Sequence, residues 1–330
     1  MSQKELTQAL GPLAKLFEDP EILTVMVDGP ERITVEKAGK IEETGLSFKS
    51  NAEIKAAVAS VLKVMGVELD ETKTIYDVRL TDNSRMMAIL SPTAIGGHSV
   101  IFRKWLTRQV TWEKIIEYQS ISAEGRDLIQ SALHAHVNIL VAGGTASGKT
   151  TLANRIIELL PPTERIVAVE QTHEFQFEHP RAVFLEADAT LQAGMNDLLM
   201  AGSRLRPDWL VVGELLGPEV MRTMQIFGNG HTGLTTIHAT GVENALTRLE
   251  AMCLMANLGL GLEDIREMIA SALRLVVYLE CLVPNGKRKV TQISELRGLQ
   301  DGRYLLQPLM RYNHETGSFE LTGAKPSWEK

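Results

Sequence analysis

The segment Gly143-Gly144-Thr145-Ala146-Ser147-Gly148-Lys149-Thr150 holds residue types suited to gripping a chain of phosphates. Glycines let backbone N–H groups curl around an anion, and a helix that starts at the end of the segment adds its favourable dipole. Lys149 can reach β- and γ-phosphates, and the Thr150 hydroxyl suits a Mg2+ ligand. The same pattern also arises in a Gly-rich turn with a surface lysine. Context separates the two. An apolar run, 137–141, reads as a strand entering the loop, and 151–160 reads as a helix leaving it before Pro161-Pro162. The segment is therefore read as a nucleotide-binding loop.

Binding does not establish hydrolysis, which needs a carboxylate at a neighbouring strand end, close to the metal and the attacking water. The strand-like run 210–214 ends in Glu214, and the run 166–169 leads into Glu170-Gln171-Thr172-His173-Glu174. The ordinary alternative for Glu214 is an exposed charge at the end of a buried strand. Two further candidates, His231 and His238, bracket an apparent strand within 230–239, where Gly and Thr neighbours leave room for a ligand close to the backbone. No zinc constellation surrounds them, so metal coordination by this pair is disfavoured. His134 and His136 read as helix-end or surface residues.

These candidates need a scaffold, and the chain is long enough for two domains at about 150 residues each. Of its 330 residues, 44% are hydrophobic and 23% charged, ordinary values for a chain with sizeable cores. Basic residues number 34 and acidic ones 41, a net charge of −7, which argues against a broad duplex-binding face. Aromatics are only 5%, with no basic stripe interleaved with them, so direct nucleic-acid binding is not read here. The two cysteines, Cys253 and Cys281, can build neither a disulfide framework nor a four-cysteine zinc module. With no apolar signal segment at 1–10 and no span of about 20 apolar residues, a soluble, cytoplasmic chain is expected.

Helical spacing over 6–17 and 54–65, with strand signals at 22–27, 33–36, 75–80, 85–90 and 98–103, predicts a small α/β domain over 1–107. The strand rhythm stops over 108–121, which reads as a linker. From 122 to 330, apolar runs alternating with helices predict a buried parallel sheet, and the end, 323–330, reads as loose.

In their order and content these motifs resemble the secretion (traffic) ATPases, and most nearly the conjugal-transfer type of TrbB in the type IV secretion branch. Supporting stretches are Ser203-Arg204-Leu205-Arg206-Pro207-Asp208, Ala245-Leu246-Thr247-Arg248-Leu249-Glu250, Asp82-Asn83-Ser84-Arg85 and Ile101-Phe102-Arg103-Lys104. The resemblance covers about 10–310 and is most specific over 137–250. It implies a RecA-like P-loop NTPase domain behind the smaller α/β domain, and a hexameric ring that hydrolyses ATP with Mg2+. That ring would be peripheral on the inner membrane, through components of a secretion or conjugation apparatus.

Residue by residue, the resemblance implies that Gly143, Gly144, Thr145, Ala146, Ser147, Gly148, Lys149, Thr150 and Thr151 bind the nucleotide, with Arg103, and Arg85 as a further candidate, reaching it from the small domain. It implies Thr150, Glu170 and Glu214 as Mg2+ ligands, and Lys149, Glu174, Glu214, His231 and His238 as the catalytic set. Two departures stand out. Gln171 replaces the Asp of the acidic box, and Leu216 stands where an Arg is expected after the Glu214 strand. Each removes a charge that could place metal, water or phosphate. They favour an alternative, a slowly hydrolysing ATP-bound ring scaffold, while a type II secretion or type IV pilus motor is the other rival.

Overall fold

A computed structural model of the chain describes residues 3–37, 40–105, 110–187, 193–282 and 286–329. The chain forms two compact units, Met1–Arg108 and Gln109–Lys330.

In the first unit, α1 (Gln3–Ala9) and α2 (Ala14–Glu18) are separated at Gly11, whose φ of 55° a continuing helix cannot adopt. Then follow β1 (Ile22–Asp28), β2 (Ile33–Lys37), β3 (Lys40–Glu43), α3 (Asn51–Val64), β4 (Ile75–Arg79), β5 (Arg85–Ile89) and β6 (Ser99–Arg103). The strands form an antiparallel sheet in the order β3-β2-β1-β6-β5-β4. The α3 helix begins where Ser50 Oγ accepts the Glu53 N–H, and it buries Ile54, Val58, Val61 and Leu62, spaced to lie on one face. Each such side chain contributes about 1.5–3 kcal/mol when removed from water. Leu6, Leu10 and Leu13 enter the same core, so the apolar face of the first helices packs on its own unit.

The second unit opens with α4 (Trp112–Glu117) and α5 (Ala123–His134). The stretch read as a linker is thus, in its described part, built into this unit. Ile115 and Ile121 are buried in its core, and Trp112 Nε1 donates to the Arg155 carbonyl at 2.8 Å. The sheet that follows comprises β7 (Ile139–Gly143), β8 (Ile166–Glu170), β9 (Ala182–Glu186), β10 (Trp209–Leu215), β11 (Gly233–His238), β12 (Leu275–Leu282), β13 (Lys287–Gln300), β14 (Arg303–Asn313) and β15 (Ser318–Leu321). Its helices are α6 (Lys149–Ile157), α7 (Met195–Arg204), α8 (Glu219–Gly228), α9 (Val242–Met255) and α10 (Leu262–Ala272).

Strand order is β15-β14-β13-β12-β7-β11-β10-β8-β9, parallel from β12 to β9 and antiparallel from β12 to β15. Successive residues of the central strands enter opposite cores. Leu140, Val167, Val169, Leu210 and Val212 join one, while Ile139, Val141, Ile166, Trp209 and Val211 join the other. Burial on both faces is why these strands read as unbroken apolar runs. The sheet is therefore α/β in type and largely parallel, with an antiparallel edge that the apolar runs did not announce.

The end of the chain is not loose in its described part. Trp328 Nε1 donates to Ser131 Oγ at 3.0 Å, and the Ser327 N–H donates to Glu295 Oε2 at 3.2 Å. Glu295 is fully buried, and a buried carboxylate needs such donors. Among the described residues no helix is long and apolar enough to cross a membrane.

Candidate nucleotide site

Gly143 closes β7, in register with His238 on β11 and Leu279 on β12. A Cβ here would stand 2.5 Å from the Leu279 carbonyl oxygen and 2.6 Å from Ser147 Oγ, so only glycine fits. The loop then turns with Ala146 at φ 58° and Gly148 at φ 96°. Such left-handed settings within a turn point successive N–H groups to one side. Gly148 is the N-cap of α6, whose first-turn N–H groups lack intrahelical acceptors, a vacancy that an anion fills. Arg288 Nε, from β13, donates to the Ala146 carbonyl at 2.9 Å.

Lys149 is only 7% exposed. Its Nζ donates to the Gly144 carbonyl at 3.1 Å, and lies 3.1 Å from His238 Nδ1 and 3.5 Å from Glu214 Oε1. Burial lowers the lysine pKa from its ordinary value, and the Glu214 and Glu174 carboxylates offset only part of that. One more anion beside this ammonium is therefore favoured.

Glu214 owes its position to a bulge. Val212 pairs with Thr235 and Glu214 with Thr236, leaving Gly213 as an extra residue that redirects the strand end. Thr235 Oγ1 donates to the Gly213 carbonyl at 3.2 Å, and a Cβ on Gly213 would press on Glu170 Cγ at 3.1 Å. Glu214 Oε1 ends 3.1 Å from His238 Nε2. Its two neighbours are at ion-pair distance without hydrogen-bond alignment, so this buried oxygen has no hydrogen bond.

Across the loop, Thr150 Oγ1 lies 3.5 Å from Glu174 Oε2. Glu170, expected as a Mg2+ ligand, has both carboxylate oxygens engaged otherwise and is only 3% exposed. Its Oε1 accepts the N–H groups of Glu174 and Phe175, each at 2.9 Å, and its Oε2 meets His173 Nδ1 at 2.8 Å. In this arrangement the carboxylate serves its own loop, with two N–H groups on Oε1 and the His173 ring on Oε2.

The structure thus brings together the loop 143–150, Glu174, Glu214 and His238. Thr151 lies beside them, exposed on the first turn of α6. His231 does not join them within the chain. It precedes β11 at the sheet's opposite end, about 20 Å away at roughly 3.3 Å per strand residue, whereas His238 ends that strand beside Gly143. Arg103 belongs to the first unit, exposed on β6, and the Arg85 guanidinium beside it holds Asp77, with Nε 2.6 Å from Oδ1. Gln171 and Leu216 are both exposed, and the Leu216 N–H is capped by Glu219 Oε1 at 2.7 Å. Arg204, Arg206 and Arg248 are exposed as well. Two residues escaped the sequence reading. Arg288 carries no motif, while Asn154 stands one helical turn after Thr150, a spacing that puts both on one face.

A nucleotide with Mg2+ fits this arrangement on two counts: the cradle at Gly143 excludes any side chain, and Glu214 Oε1 is buried without a hydrogen bond. Mg2+ takes one or two protein oxygens and completes its shell with phosphate and water, a role open to Thr150 and Glu214.

Among known families, the one described as type II/IV secretion system protein matches residues 7–306. The chain belongs to that family. It is similar to the conjugal transfer protein TrbB of Rhizobium radiobacter, 29% identical over 91% of this chain and 92% of that one. It is also similar to the type IV secretion system protein VirB11 of Bartonella quintana, 26% identical over 86% of this chain and 91% of that one. Two solved structures share the fold of this secretion family member. They are the ATPase DotB of Legionella pneumophila (TM-score 0.57, 19% identity, 88% and 80% of the two chains) and the pilus retraction motor PilT with bound ADP (TM-score 0.61, 18% identity, 90% and 82%). Family and fold agree with the resemblance that the sequence motifs carry.

Proposed function

We propose that the chain is an ATP hydrolase that works as a homo-oligomeric ring, a hexamer, to power type IV secretion or conjugative transfer, with inner-membrane components of that apparatus as partners. The observation that supports this reading is the meeting of Lys149, Glu214 and His238 with the Thr150–Glu174 pair around one glycine cradle.

The loop N–H groups and Lys149 hold the phosphates. Lys149 turns from Glu214 to the β- and γ-phosphates once they enter, and Glu214 is then free to accept a hydrogen bond from the attacking water. Thr150 and Glu214 hold Mg2+, which when bound offsets the charge that develops on the phosphate oxygens. Water attacks the γ-phosphorus as its proton passes to Glu214, the bond to the β–γ bridging oxygen breaks with its electron pair leaving on ADP, and His238 keeps Glu214 turned toward the water. Glu174 restrains the Thr150 hydroxyl. Arg103 is assigned to nucleotide binding on the family resemblance. ATP and ADP favour different arrangements of the two units, and that difference bounds the work per cycle.

Phosphate release with Mg-ATP over a range of protein concentrations, beside Lys149→Ala, tests the proposal. Turnover that rises with concentration and vanishes in the variant is expected, and no release at any concentration would overturn it. Gln171 and Leu216 favour a second reading, a slowly hydrolysing ring scaffold. Tight ATP binding without release would point there.

A further inference from the structure

The end of the 171–176 loop, which carries Glu174, is held from two sides by residues with no part in the proposed chemistry. On one side, Glu170 Oε1 accepts the N–H groups of Glu174 and Phe175, each at 2.9 Å. On the other, Asn154 Oδ1 accepts the Gln176 N–H at 2.9 Å. Both side chains are almost fully buried, Glu170 at 3% and Asn154 at 7% exposure, and Phe175 is buried at 2%. Asn154 rides on the same helix as Thr150, whereas Glu170 ends the strand that lies against Gly213, the residue before Glu214. The two ties therefore link Glu174 to the phosphate-binding helix on one side and to the Glu214 strand on the other.

We propose that Glu170 and Asn154 are positioning residues that clamp the 171–176 loop and so set Glu174 against Thr150, with Glu170 acting as a backbone acceptor and not as a ligand of Mg2+. This rests on the ATPase reading for its kinetic consequence, though not for its structural one. Held from the end of β8 on one side and from α6 on the other, residues 174–176 keep one height and rotation above α6. Removing one tie should lower turnover without weakening nucleotide binding.

The test uses the full chain and three variants, Asn154→Ala, Asn154→Asp and Glu170→Gln, with three readouts. These are amide hydrogen exchange across 171–177, kcat and KM for ATP, and the Mg2+ dependence of ATP binding. Asn154→Ala is expected to speed exchange at Gln176 and lower kcat about 3- to 10-fold, the worth of one hydrogen bond, with KM nearly unchanged. Asn154→Asp, which still accepts the same N–H, is expected to restore both. Glu170→Gln keeps the acceptor and loses the charge, so loop protection and Mg2+ half-saturation are both expected to stay at wild-type values. Unchanged exchange and kcat in Asn154→Ala, or an equal loss in Asn154→Asp, would overturn the clamp. A rise in Mg2+ half-saturation of about tenfold in Glu170→Gln would make Glu170 a ligand. Wild type that releases no phosphate would sink the ATPase reading alone, because exchange and Mg2+-dependent binding still decide the clamp.

Discussion

Gly143→Ala adds one methyl group where β7 meets β12, and the geometry allows its cost to be worked out. The new Cβ would stand 2.5 Å from the Leu279 carbonyl, while ordinary contact begins at 3.4 Å, so that carbonyl must retreat by about 0.9 Å. Ser147 Oγ, at 2.6 Å, can rotate away. Leu279 cannot, because it is backbone in a strand paired with β7 and β13. Overpacking of this kind costs about 1–3 kcal/mol, which at roughly 2–4 °C per kcal/mol lowers the melting temperature by about 2–12 °C. Displacing the phosphate loop by close to 1 Å would lower turnover about 100-fold. Gly144→Ala is the internal control, because a Cβ there meets nothing within 4 Å. It should melt like wild type. Thermal unfolding by circular dichroism and phosphate release at saturating Mg-ATP read both effects. If Gly143→Ala melts and turns over as wild type does, or Gly144→Ala is equally destabilised, the close-approach reasoning is wrong.

The two histidines should behave differently. His238→Ala removes the group between Lys149 and Glu214 and should lower turnover about 5- to 100-fold, as expected when a buried charge loses a partner. His231→Ala, at the far end of the strand, should leave the affinity for a fluorescent nucleotide unchanged. Glu295 carries the pH prediction. Burial pushes its carboxyl up, but hydrogen bonds from Ser327 and Arg297 outweigh this and hold it below the usual carboxylate value. A depressed carboxyl contributes stability above its unfolded pKa, and loses it as pH falls through the folded value. Ser327→Ala should therefore move the acid-unfolding midpoint to higher pH, followed by tryptophan fluorescence. An unchanged midpoint would show that the Ser327 hydroxyl does not hold the Glu295 carboxyl down.

Much of the fold was legible because it is written in short-range periodicity. The runs at 139–143, 166–170 and 209–215 bury both faces and so read as unbroken apolar strands, and α3 shows its buried stripe at helical spacing. Less legible were β13 and β14, whose polar and apolar residues alternate around bulges and blur the period. The end of the chain looked loose because Ser327 and Trp328 are anchored by Glu295 and Ser131, residues remote in sequence.

The sequence by itself determined the glycine-rich loop, its entering strand and leaving helix, and the acidic strand ends, because each rests on residues adjacent along the chain. Tertiary structure alone decided which of these share a site. The parallel pairing of β7 with β11 put His238 beside Gly143 and sent His231 to the other end of the sheet. The bulge at Gly213 turned Glu214 toward Lys149, and the folding back of 171–176 set Glu170 against its own backbone. Residue type sets what a side chain can do, while strand order and register set what it meets. That second fact resides in contacts between distant parts of the chain.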